Sequence, residues 1–210
     1  MLMFNKTKNA WIDYYRNKKV FLKFIISVLL FIVGLVIYSN FLIYNESRSG
    51  TILQDPILIL FSPVNLTWLI FGILYISIAL SLVYLSAKPY SLTLTFYAYF
   101  ILILFRITAM YLVPLEPPPA MLALKDPVVE SLGTGVLLTK DLFFSGHTSL
   151  LFLLFLIIEN RYFKYLLLIG TIVVGCSVLL QHVHYSIDVL VAPFFSYVSV
   201  KIAKKVNLNR

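Results

Sequence analysis

Charge is scarce in this sequence. Asp, Glu, Lys and Arg make up 12% of its 210 residues against 60% hydrophobic, and the mean hydropathy is +0.93. An ordinary soluble domain carries about twice that share of charge, so a water-soluble fold is excluded. Cysteine occurs once, at Cys176, which rules out a disulfide within the chain; with no charge near it in sequence, it reads as inert core. Histidine occurs only at 147, 182 and 184. Neither an internal repeat nor a soluble module is visible. The first apolar run lacks a small-residue cleavage pattern and exceeds the ~7–15 residues of a signal-peptide core, so it is expected to be retained in the membrane.

Long apolar runs are what the sequence has in abundance. A membrane-spanning helix needs about 20 mostly apolar residues, and six candidate spans lie at roughly 20–44, 66–87, 91–113, 142–158, 165–183 and 184–204. The expected fold is an all-α integral membrane protein with six transmembrane helices. Residues 1–19 form a cytoplasmic N-terminal segment, 20–204 the six-helix membrane domain and 205–210 a cytoplasmic tail. With six crossings and a cytoplasmic N-terminus, thirteen of the 17 basic residues fall inside; only Arg48, Lys125 and Lys140 fall outside, and Arg106 lies within a span. The positive-inside rule therefore predicts that both termini are cytoplasmic. The net charge of +8 serves topology and anionic headgroups, and its distribution argues against a nucleic-acid partner. Residues 114–141, rich in Pro and Gly, bar a continuous helix between spans three and four. Asn45-Glu46-Ser47 would be a glycosylation sequon on the outer side if the source were eukaryotic.

This topology gathers the polar outliers into one outer layer: Arg106 near the end of span three, Asp141 to Thr148 at the start of span four, His182, His184 and Asp188 at the start of span six, and Asp55 in the first outer loop. Ionisable groups in spans cost about 2.5–3.5 kcal/mol each even on insertion scales, and they commonly mark function. On a helix beginning near His184, Asp188 lies one turn on and on the same face, where its carboxylate can orient the imidazole. His182 is six residues from Asp188 and cannot share that geometry, so it is expected to be an interfacial residue. An imidazole activated in this way can attack phosphorus to give a phosphohistidine, and His147 can protonate the leaving alkoxide. Ser145, Gly146 and Thr148, with the amides at the start of span four, can bind phosphate oxygens, Arg106 can clamp them, and Asp141 is counted with them as a substrate-binding candidate. Each element has a plainer reading: His184 and Asp188 as a structural pair, Arg106 as a snorkelling side chain, Asp141 with Lys140 as a solvated span edge. Their convergence favours chemistry.

The motifs Ser-Gly-His-Thr at 145–148 and His-Tyr-Ser-Ile-Asp at 184–188 resemble the second and third motifs of the type 2 phosphatidic acid phosphatase superfamily. "DLFFSGHTSLLF" with "HYSIDVLVA" is more similar to its sphingomyelin synthase branch. "FRITAMYLVPLEPPP" at 105–119 resembles the Arg…Met-Tyr…Pro block of that branch, with Ala109 in place of its threonine, and Asp55 matches one position of a Pro-rich aspartate block. The Lys-x6-Arg-Pro motif of the superfamily's phosphatases is missing, and Val178 stands where they carry a second arginine. The resemblance implies six spans, an outward-facing site, His184 as nucleophile assisted by Asp188, and His147 as acid–base partner. It implies transfer of a phospho-headgroup from a glycerophospholipid to a lipid alcohol such as ceramide, with diacylglycerol released, and with no metal or other cofactor. Hydrolysis by the same residues is the alternative within enzymes. A lipid transporter is the alternative outside them, but it predicts broken spans in two repeated halves.

Overall fold

The computed structural model describes residues 2–126 and 138–208, and within them every regular element is a helix. In chain order these are α1 (Leu2–Arg16), α2 (Lys18–Glu46), α3 (Thr67–Ser86), α4 (Pro89–Leu112), α5 (Gly146–Ile157), α6 (Arg161–Leu180) and α7 (Ser186–Leu208), with a short 3₁₀ turn at Leu58–Leu60. Local chemistry sets the boundaries. Asn17 caps α2 through Val20 N, Ser145 caps α5 through Thr148 N and Asn160 caps α6 through Phe163 N, each side chain satisfying an amide that the first turn leaves without a partner. Pro89 opens α4, where a missing N–H costs nothing.

α2, α3, α4, α6 and α7 are long and apolar enough to cross a membrane, so the chain is a multi-pass membrane protein. α4 packs against α2 and α7, α5 against α6 and α7, and α3 leans on α6. Large apolar side chains such as Leu29, Val36, Val83, Leu166, Leu190 and Phe194 are exposed on the long helices, as a lipid-facing belt requires. Cys176 belongs to this outer surface and not to the core expected for it.

The fourth expected span, 142–158, is helical only over the 12 residues of α5, about 18 Å at 1.5 Å per residue, against a hydrocarbon core of ~30 Å. Before α5 the backbone reverses through Phe143 and Phe144, both with positive φ (56° and 78°), and after it Ile158 is already extended. The irregular stretch at 138–145 is tolerated because protein groups satisfy it. Glu46 accepts from the amides of Thr139 and Lys140, Asn45 donates to Lys140 O, and Ser145 N donates to Asp188 O.

The ends of the bundle differ. At one, α1 docks through the buried Tyr14, whose hydroxyl shares a 2.6 Å hydrogen bond with Thr93, and through Trp11 donating to Ser86 O. At the other, three loops are clasped together. Thr51 bridges Leu115, Gly50 N donates to Glu116, and Lys140 Nζ reaches Glu116 Oε1 at 2.8 Å and Arg48 O at 2.6 Å. Gly50 is required there, since a Cβ would lie 2.6 Å from the Leu115 carbonyl carbon. The described residues 114–126 and 138–141 form no helix; 127–137 lie outside the described residues. Asn45 is buried in the last turn of α2, a placement that withdraws the glycosylation reading.

Candidate active site

His184 and Tyr185 precede α7 instead of opening it, and Asp188 sits in its first turn. Asp188 Oδ2 takes His184 Nδ1 at 3.1 Å and the Tyr185 amide at 3.2 Å, and the Asp188 side chain is fully buried. With Nδ1–H donating to the carboxylate, Nε2 is the nitrogen left for chemistry. Tyr185 anchors this turn: its hydroxyl donates to Glu116 O and accepts from Leu53 N. Asp55 caps α7 from another loop, accepting from Ser186 N at 2.6 Å and Ser186 Oγ at 3.0 Å. Burial works against the charged form of Asp55, but the bonds from Ser186 and Ile57 overcome it and hold its carboxyl below the ordinary range. Glu116 is likewise held low, by Lys140 and then by the Gly50 amide.

His147, in the first turn of α5, faces His184 with ring centroids 6.4 Å apart, and the edge of Phe71 backs it at 5.7 Å. Ser145 and Thr148 turn toward each other: the Ser145 hydroxyl accepts from Thr148 N at 3.3 Å and lies 3.1 Å from the Thr148 hydroxyl, and both residues are buried. These two side chains serve the helix cap, while Gly146 faces Arg106. A Cβ at position 146 would overlap the guanidinium.

Arg106 is 6% exposed and lies between the rings of Tyr38 (5.3 Å) and Phe144 (5.6 Å). Its Nη2 pairs with Asp141 Oδ1, the same oxygen that accepts the Tyr38 hydroxyl at 2.8 Å. Arg106 therefore does not snorkel, and Asp141 is an ion-pair partner within the layer instead of a solvated edge. Arg106 Nε, His147 Nδ1 and Asp188 Oδ1 are three of the five buried side-chain polar atoms that have no hydrogen-bond partner among the described residues. Such atoms are rare in folded proteins because each costs about 1–3 kcal/mol, and their concentration here suits a site built around a polar ligand.

Residues 140–205 match the family model described as PAP2 superfamily C-terminal. The match covers under a third of the chain, from Lys140 to Lys205, and takes in Asp141, His147, His184 and Asp188. No curated protein and no solved structure matches the chain. The match supports lipid phosphatase- or phosphotransferase-type chemistry in general, without distinguishing branches within the superfamily.

His182 is the third histidine, and its Nε2 is another of the five unpartnered atoms among the described residues. It is buried with positive φ (56°), and its ring meets the edge of Phe61 at 5.3 Å, so it is a packed turn residue and not an interfacial one. Val178 is fully buried in the core. Tyr38 was not anticipated, because a lone tyrosine in an apolar span carries no spacing signal. Gln181 was missed as well. It is fully buried and joins Leu66 N, Thr67 Oγ1 and Leu122 O, which ties the long loop to α3 and α6.

Proposed function

We propose that the protein is a phospholipid headgroup phosphotransferase of the sphingomyelin synthase type. The observation that carries this reading is the pair of opposed imidazoles, His147 and His184, with one nitrogen of His184 committed to a buried carboxylate. His184 Nε2 attacks the phosphorus of a glycerophospholipid, the bond from phosphorus to the diacylglycerol oxygen breaks, and His147 gives that oxygen its proton. The P–N bond then breaks as a lipid alcohol such as ceramide attacks, losing its proton to His147, and His184 recovers its electron pair. Arg106 and the amides at the start of α5 stabilise the charge that develops on the phosphoryl oxygens.

The chain crosses the membrane six times in this reading, with α5 and its flanking segments making the fourth crossing, both termini in the cytoplasm and the site on the outer side. The arrangement of charge supports this: Arg16, Lys18, Lys19, Lys88, Arg161 and Lys204 lie at helix ends remote from the His–His–Asp layer.

Purified protein in lipid vesicles, supplied with a phosphodiester lipid labelled in its headgroup, should move the label into a new lipid when ceramide or diacylglycerol is added. If phosphatidic acid is the better donor and inorganic phosphate the only product whatever acceptor is present, the lipid phosphatase alternative replaces this one.

A further inference from the structure

We infer that Asp141, held in place by Tyr38, is a specificity-determining residue that makes the site select a phosphodiester over a phosphate monoester. The inference rests on the phosphoryl-transfer reading of the His147–His184 layer. Arg106 is the cation best placed for a phosphoryl oxygen, yet it is not free to offer its whole charge. Nη2 is committed to Asp141 and two aromatic rings flank the guanidinium, which leaves Nη1, the atom nearest Gly146 and the start of α5, and the unpartnered Nε to meet a ligand. The neighbouring Lys140 ammonium is turned away, onto Glu116 and Arg48 O.

Counting formal charges shows the effect. With His147 protonated to serve the leaving oxygen, Arg106 and His147 are offset by Asp141 and Asp188, and the empty layer is neutral. A bound phosphodiester brings one negative charge into this setting, whereas a phosphate monoester brings about 1.5 to 2 at pH 7. The second charge would add to a layer whose described cations are already offset, and excess buried charge is strongly penalised. Neutralising Asp141 would return the full charge of Arg106 to the ligand. Tyr38 is placed to keep Asp141 on Arg106, since its hydroxyl binds the same carboxylate oxygen and its ring lies along the guanidinium.

The test compares kcat/KM for a phosphodiester lipid and for phosphatidic acid in the purified, reconstituted protein. Wild type should favour the diester, and Asp141→Asn should move the ratio toward phosphatidic acid by about tenfold or more. Tyr38→Phe keeps the carboxylate charge and only loosens its hold on Arg106, so it should move the ratio in the same direction by much less than Asp141→Asn. Calorimetric titration with inorganic phosphate gives a second readout that does not depend on turnover: Asp141→Asn, or Asp141→Ser if the amide variant does not fold, should bind phosphate more tightly than wild type. An unchanged ratio together with unchanged phosphate affinity overturns the inference, as does a Tyr38→Phe shift equal to that of Asp141→Asn. A wild type that transfers from neither substrate instead overturns the phosphoryl-transfer reading, while the phosphate titration still reports on Asp141.

Discussion

An imidazole that attacks phosphorus must be neutral on the attacking nitrogen, and the carboxylate on the other nitrogen decides which one that is. In the proposed mechanism Asp188 plays that part for His184, so Asp188→Asn should lower turnover on the order of 10³-fold or more by permitting the wrong tautomer, with membrane insertion unchanged. His184→Ala and His147→Ala should each reduce headgroup release to background. His182→Asn, which tolerates the positive φ at that position, should keep most of the activity; the reverse pattern would assign the nucleophile to His182. Gly146 gives a test of a different kind. Gly146→Ala puts a methyl where the Arg106 guanidinium lies, so activity should fall at least about tenfold, the equivalent of ~1.4 kcal/mol, while thermal stability in detergent changes little because the displaced group is the end of a side chain. At this scale the sequence was most informative where spacing carries geometry. His184 and Asp188 are four apart and do meet. Tyr38 could not be found that way, because its partners are 68 and 103 residues distant.

Among the elements, α7 depends on a residue from another loop. Asp55 accepts from Ser186 and its amide through both carboxylate oxygens, and an Asn there keeps one accepting oxygen but loses the charge that strengthens these bonds. Asp55→Asn should therefore lower the unfolding temperature in detergent at neutral pH. The folded-state carboxyl of Asp55 sits below its unfolded value, so its contribution is fully present above the unfolded pKa of ~3.9 and is lost as pH falls through the folded value. The stability gap between wild type and Asp55→Asn should narrow on acidification below about pH 4; a gap that is constant with pH would mean the contact is packing alone. The five long helices were legible from hydropathy because each is predominantly apolar over about 20 residues. α5 was overestimated for a physical reason: Leu142, Phe143 and Phe144 are apolar and join the span by composition, yet two of them take left-handed backbone, which costs about 1–3 kcal/mol per residue and is sustained by burying Phe144 against Phe195 at 4.4 Å. Hydropathy does not register a turn built from phenylalanines. Nor does it register α1, whose docking depends on Trp11 and Tyr14 finding Ser86 and Thr93.

For the molecule as a whole, orientation is the property open to direct test. Gln54 is exposed in the loop that carries Asp55, and with Cys176 replaced, Gln54→Cys should react with a membrane-impermeant thiol reagent in intact cells. Reaction only after the membrane is opened would place the His–His–Asp layer inside. The clasp around that layer also bears on how the protein is made. Asp55 and Ser186 are 131 residues apart, and Leu53 and Tyr185 are 132 apart. Helices are delivered to the membrane in the order of their synthesis, so for most of translation Asp55, Leu53 and the amide of Ser145 await partners that have not yet left the ribosome. α7 and the turn before it close all three at once. A chain cut short before α7 would thus be an inserted protein with its polar layer unsealed.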